Sequence, residues 1–109
     1  MEECRIVWDE DKNIENRRKH GISFETARFV FADPNRLWRF DCSEGNTSVE
    51  DRWQTLGMAE AVVFVVYTEN ELVGTNEIRL ITARLATKAE RRIYNGYYRI
   101  NNQGWSEAD

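Results

Sequence analysis

The sequence predicts an α+β domain in which helices pack on a mostly antiparallel sheet. Three observations carry this. A β-prone start leads into two capped helical stretches. Strand-like segments from Arg36 to Leu85 follow one another with short connections, which suits an antiparallel meander. A Thr-x-x-Glu capping box at Thr87 and Glu90 then opens a last helix. The order reads β-α-α-β-β-β-β-α, with the helices expected on one side of the sheet in two layers. A chain of 109 residues is one domain's worth. Residues 1–99 are read as that domain and 100–109 as a loose polar tail.

Each element has a local reason. Arg5-Ile6-Val7-Trp8 is a short strand. Asp9 caps a helix that runs to Lys19 or His20 and stops at Gly21. Its one clear apolar residue is Ile14, so the helix is either solvated or covers something polar. Ser23 caps a second helix, in which Phe24, Ala27, Arg28 and Phe31 follow a 3.6 period and Val30 adds to the buried face, until Asp33-Pro34 ends it. Leu37 and Arg39 alternate with Trp38 and Phe40 along a strand from Arg36 to Asp41. Arg52 to Gly57 is the next strand. Ala61 to Thr68 is so apolar that it reads as a central strand buried on both faces. Glu69 to Asn76 turns into a strand over Glu77 to Leu85. The closing helix runs from Thr87 to about Arg99, with Gly96 as a weak point.

Composition narrows the function. The longest apolar run, Ala59 to Tyr67, is broken by Glu60 and falls short of the ~20 residues that span a bilayer. No cationic start with an apolar stretch marks a secretory signal, so a cytoplasmic location without membrane contact is expected. Cys4 and Cys42 lack the company of other ligands and are read as free thiols, with no metal site and no cofactor expected. GxGxxG, P-loop, GxSxG and HExxH motifs are absent. The net charge of −4 weighs against nucleic acid globally. Locally, however, cations crowd at Arg17 to His20 and again over Arg79, Arg84, Lys88, Arg91 and Arg92.

Two constellations stand out. Lys12, Asn16, Lys19 and His20 share a helical face. Such a set can hold a phosphate and exchange a proton, or it is a solvated face whose cations suit the helix C-terminus. In the second set, Lys88 and Arg91 share a helix face with Arg92, while strand alternation sends Arg79 and Arg84 to opposite faces. Arginine suits phosphate through its planar fork, but these residues also serve as ordinary helix charge. Trp8, Trp53 and Tyr94 are assigned to the core. Tyr97, Tyr98 and Trp105 are late enough in the chain to be exposed contacts.

Taken together, Trp8-Asp9, Lys12, Asn16, Lys19-His20-Gly21, Ser23-Phe24, Ala27, Phe31 and Asp33-Pro34 resemble the N-terminal signature of the BrnT toxin family. Asp51-Arg52-Trp53 with Gly57, Val66-Tyr67-Thr68, and the stretch Ile78-Arg79, Ile81, Ala83-Arg84, Ala86-Thr87, Glu90-Arg91 and Tyr94 extend the resemblance over roughly residues 5 to 95. It implies a RelE-like fold and a type II toxin that cleaves RNA without a metal and inhibits translation. It also implies neutralisation by a BrnA-type antitoxin, which binds operator DNA on behalf of the pair. Metal-free cleavage needs a proton acceptor at the 2′-OH, a donor at the leaving oxygen and cations around the phosphate. His20 is the expected proton-transfer group, with Lys19, Arg52, Arg79, Arg84 and Tyr67 around the scissile phosphate. Lys12, Asn16, Lys88 and Arg91 are expected to bind the RNA. The alternative is a non-catalytic member that acts through antitoxin binding and operon repression.

Overall fold

The computed structural model describes residues 3–41, 51–72, 75–96 and 104–107. These form β1 (Glu3–Val7), α1 (Glu10–His20), α2 (Phe24–Ala27), a 3-10 helix (Arg28–Ala32), β2 (Leu37–Phe40), β3 (Arg52–Ala59), β4 (Ala61–Leu72), β5 (Thr75–Leu85), α3 (Lys88–Tyr94) and β6 (Ser106–Glu107). The strands make one sheet in the order β1-β5-β4-β3-β2-β6. β2 to β5 form the expected antiparallel meander, and β1 joins β5 in parallel. The class is α+β, as the pattern of elements requires.

The apolar run of β4 explains the architecture. Val63, Val65 and Tyr67 point to one face, where they meet Ile22, Phe24, Ala27 and Val30. Val62, Phe64 and Val66 point to the other, where Ala86, Ile93 and Trp105 cover them. α3 therefore lies on the face opposite α1 and α2, rather than beside them. Trp105 departs from expectation too. It is 3% exposed and packs edge-on against Phe64, and Ser106–Glu107 pair with β2 as a sixth strand. Polar neighbours hid this one large apolar anchor from a reading based on composition. Tyr97, Tyr98, Arg99, Cys42 and the loop around Gly45 lie outside the described residues.

The second helix is not one continuous α-helix. It tightens into 3-10 geometry at Arg28. That winding eclipses residues three apart, so Ala27 and Val30 are both fully buried while Phe29 is left out. Val30 then presses on Gly57, where a Cβ would lie 2.5 Å from Val30 Cγ1 and 3.1 Å from its carbonyl oxygen. α3 ends at Tyr94, short of Arg99, and Gly96 follows at φ 86°.

α1 docks without an apolar face. Ile14 is 61% exposed, whereas Asn13 and Asn16 are buried. Beyond Arg79, β5 has no β1 partner. Asn16 fills the gap: its Nδ2 donates to Ala83 O at 2.8 Å and Ile22 O at 2.9 Å. Its Oδ1 accepts from Ala83 N at 3.0 Å and Thr82 Oγ1 at 3.1 Å. Asn13 Oδ1 accepts from Phe24 N at 2.8 Å and so fastens α1 to α2. Asn16→Ala should cost about 2–4 kcal/mol, because it strands buried backbone groups of β5. Gly57→Ala should cost about 1–3 kcal/mol by overpacking against Val30. Urea unfolding monitored by tryptophan fluorescence measures both.

Candidate functional site

A bulge decides which side chains share a face. Val66 pairs with Thr82 and Tyr67 with Leu80, so Ile81 is an extra residue on β5. The inserted residue resets the alternation beyond it. Arg79 opposes Thr68 and Arg84 opposes Phe64, and Phe64 and Thr68 share a face. Arg79 and Arg84 therefore share the α3 face too, contrary to the expectation from simple alternation. They remain about 13 Å apart, four β4 residues at ~3.3 Å each.

Next to that face's apolar core lies a polar patch. Thr68 on β4 opposes Arg52 on β3 on one side and Arg79 on β5 on the other. Directly opposed residues sit about 5 Å apart, which places the two arginines about 10 Å apart across Thr68. One pleat further out, Glu77 of β5 lies between Asn70 of β4 and Arg5 of β1. Arg79 Nη2 approaches Glu77 Oε1 at 3.6 Å, a half-exposed and weak pairing. Thr68 is 3% exposed, yet among the described residues its Oγ1 has no hydrogen-bond partner, and neither has the buried Nε of Arg52. Buried polar atoms left unpaired cost free energy. Thr68, Asn70, Glu77 and Arg5 were not singled out by the sequence reading, although the i, i+2 spacing of Glu77 with Arg79 places them on one strand face.

The remaining sequence-designated residues lie elsewhere. The Arg84 guanidinium is clamped by Glu90 at 2.7 and 3.1 Å and lies 4.0 Å from the centre of the Phe64 ring. Lys88 is exposed, and Arg91 donates to Ala86 O at 3.2 Å from an exposed helix face. Tyr67 is buried on the opposite face, edge-on to Phe31 with ring centroids 5.0 Å apart. Burial pushes the Tyr67 phenol up, while the Arg36 charge and hydrogen bond pull the other way without cancelling it. Lys12 is exposed near the start of α1. Asn16 has both ends of its carboxamide engaged inside the protein, so it is a structural clamp and not a surface contact.

Lys19 and His20 are exposed in the last turn of α1, with Lys19 Nζ 3.6 Å from Glu15. Their neighbours Arg17 and Gly21 line a groove with Ala59, Glu60, Ala61 and Leu85. That groove lies at the far end of β4 from Thr68, about 24 Å away over seven residues. The structure thus gathers Arg52 and Arg79, and it separates them from His20, Lys19 and Tyr67.

The family follows from comparison with known proteins. Residues 8–90 match the family described as the ribonuclease toxin, BrnT, of type II toxin-antitoxin systems. The chain belongs to the BrnT family. The match spans α1, with its asparagine clamp, and the whole arginine row. No curated protein matches the chain. A toxin role within a type II system is thereby shown for this BrnT-family chain, and a ribonuclease activity is the family's own.

Two carboxylates tie the α3 layer down. Burial alone would raise Glu90, but hydrogen bonds from Arg84 and from Thr87 hold it below its ordinary value. Asp33 accepts from the Tyr94 hydroxyl, from Met58 N at 2.8 Å and from Asn35 N at 2.9 Å. These bonds outweigh its burial and lower its pKa as well. Burial, the hydrogen bond to Asp33 and its charge push Tyr94 up to about 12. A depressed carboxyl stabilises the fold above its unfolded pKa and loses that contribution as pH falls through the folded value. The stabilisation should therefore be complete at neutral pH and should begin to fall below the ordinary values of 4.5 and 3.8. Asp33→Asn should flatten the acid side of a stability–pH curve measured by thermal unfolding.

Proposed function

We propose that this toxin is a metal-independent endoribonuclease whose scissile phosphate sits on the Arg52–Thr68–Arg79 row. The observation that carries this reading is the placement of Arg52 and Arg79 on one sheet face, on either side of Thr68, with Glu77 beside Arg79. Guanidinium donors match phosphate oxygens and supply positive charge directly. The substrate's 2′-OH attacks its own phosphorus. Glu77, beside Arg79, accepts the hydroxyl proton. The phosphorus–5′-oxygen bond breaks, leaving a 2′,3′-cyclic phosphate. The departing oxygen is stabilised by the arginines and takes a proton from solvent.

Cleavage of cellular RNA would inhibit translation, and a BrnA-type antitoxin would neutralise the toxin by covering the patch. A basic, DNA-binding antitoxin complements a toxin with a net charge of −4. Operator DNA would be reached through that partner.

Purified chain should cleave single-stranded RNA in EDTA. Arg79→Ala and Arg52→Ala should each lower the rate about 100-fold or more, the usual loss for one preorganised transition-state donor. Both should relieve growth arrest on expression without antitoxin. His20→Ala should stay within a few-fold of wild type. A reversed ranking, with His20→Ala inactive and the arginine variants active, moves the chemistry to the end of α1. Growth arrest by neither wild type nor variants favours the non-catalytic reading.

A further inference from the structure

Behind the arginine row, on the face that carries α1 and α2, lies a second polar site. Arg36, Trp38, Trp53, Tyr67 and Glu69 line an open cavity of about 280 Å³. The aromatic side chains form a frame. Trp38 and Trp53 meet edge to face at 5.7 Å, and Phe40 extends the frame from Trp53 at 5.3 Å. Arg36 rests against the Phe31 ring at 5.2 Å and hydrogen-bonds Thr55 Oγ1 at 3.4 Å. These contacts hold its guanidinium in place while N–H groups remain to spare. Glu69 is exposed at the cavity's other side. Among the described residues neither Arg36 nor Glu69 makes an ion pair, with each other or elsewhere. Opposite charges therefore face one cavity without meeting, and aromatic side chains share its lining.

We infer that this cavity recognises a guanine base of the RNA strand. Guanine carries adjacent N1–H and N2–H donors, which a carboxylate accepts together, and O6 and N7 acceptors on the neighbouring edge, which a guanidinium engages. Adenine lacks the first pair. Uracil offers a single N–H between two carbonyls, which a carboxylate repels. The partly exposed Trp38 and Trp53 rings supply the kind of stacking surface that bases use on single-strand-binding proteins. The Tyr67 phenol, its pKa raised by burial, lines the cavity beside Arg36. The placement suits a strand held for cleavage. Arg52 and Trp53 are consecutive in β3, and Thr68 and Tyr67 in β4, so the two sites sit back to back at one end of the sheet. The inference rests on the RNA-cleaving reading for its substrate class. It adds a base-specific pocket on the opposite face.

The test uses the full chain and 2′-O-methyl hexanucleotides, which lack the nucleophile and so report binding alone. One guanine, adenine or cytosine is placed in a uridine background, and anisotropy gives the affinity. The guanine hexamer should bind at least about tenfold tighter than the others, the discrimination expected of a paired base-edge contact. Glu69→Gln should abolish that preference, and Arg79→Ala should keep the preference ratio while weakening every hexamer. Equal affinity for all hexamers overturns the pocket, as does an unchanged preference in Glu69→Gln. Guanosine monophosphate bound as tightly as the guanine hexamer also overturns it, because the site would then serve a free nucleotide. Cleavage of unmodified RNA separates the two readings. Active enzyme with no guanine preference sinks the pocket alone, and selective binding without cleavage sinks the ribonuclease reading alone.

Discussion

The carboxamide of Asn16 holds the two halves of this protein together. β5 runs beyond the end of β1, and an uncovered strand edge carries unpaired N–H and C=O groups. Asn16 gives Ala83 both a donor and an acceptor, as a neighbouring strand would. α1 is thereby fixed along the edge of β5 with almost no apolar contact of its own. Because Asn16 also binds Ile22 O, the same residue sets where the chain turns into α2. The packing of Phe24, Ala27 and Val30 on the sheet then follows. A helix docked by hydrogen bonds is bound to one register, since sliding it by a residue would leave buried groups unpaired.

The bulge at Ile81 has a comparable influence on the α3 face. Its single extra residue lets Ala83 point into the first core while Arg84 lies over Phe64 in the second. Arg84 is consequently available to Glu90, whose carboxylate also closes the capping box of α3. The cation thus anchors a helix. On the near side of the bulge, Arg79 escapes such a clamp, and its pairing with Glu77 is long and half-exposed. The difference between Arg84 and Arg79 lies in how fully each guanidinium is already satisfied.

The acidic total charge is compatible with RNA because charge is sorted by position. Arg5, Arg52 and Arg79 share one sheet face with Glu77, while acidic residues such as Asp9, Glu10 and Asp11 are spent at a helix N-terminus. β4 separates the two proposed functions by its pleat alone. Thr68 turns its hydroxyl to the phosphate side, and Tyr67 turns its ring to the base side.

The sequence by itself determined the class and nearly every element, because caps, alternation and apolar runs act locally. Asp9, Ser23 and Thr87 cap their helices as read, Gly21 adopts the left-handed conformation at the end of α1, and β4 is buried on both faces. The family signature was legible for the same reason, being a string of residues in order. Contacts between residues distant in the chain were decided only by the tertiary structure. Asn16 reads as a surface amide until β5 is seen to need it, and Trp105 reads as a loose tail until Phe64 receives it. Arg79 and Arg84 read as opposed until a bulge is counted. His20 reads as a partner of Arg52 until the length of β4 lies between them. Periodicity reports the faces of a single element, whereas a site depends on how registers, bulges and edges bring several elements together.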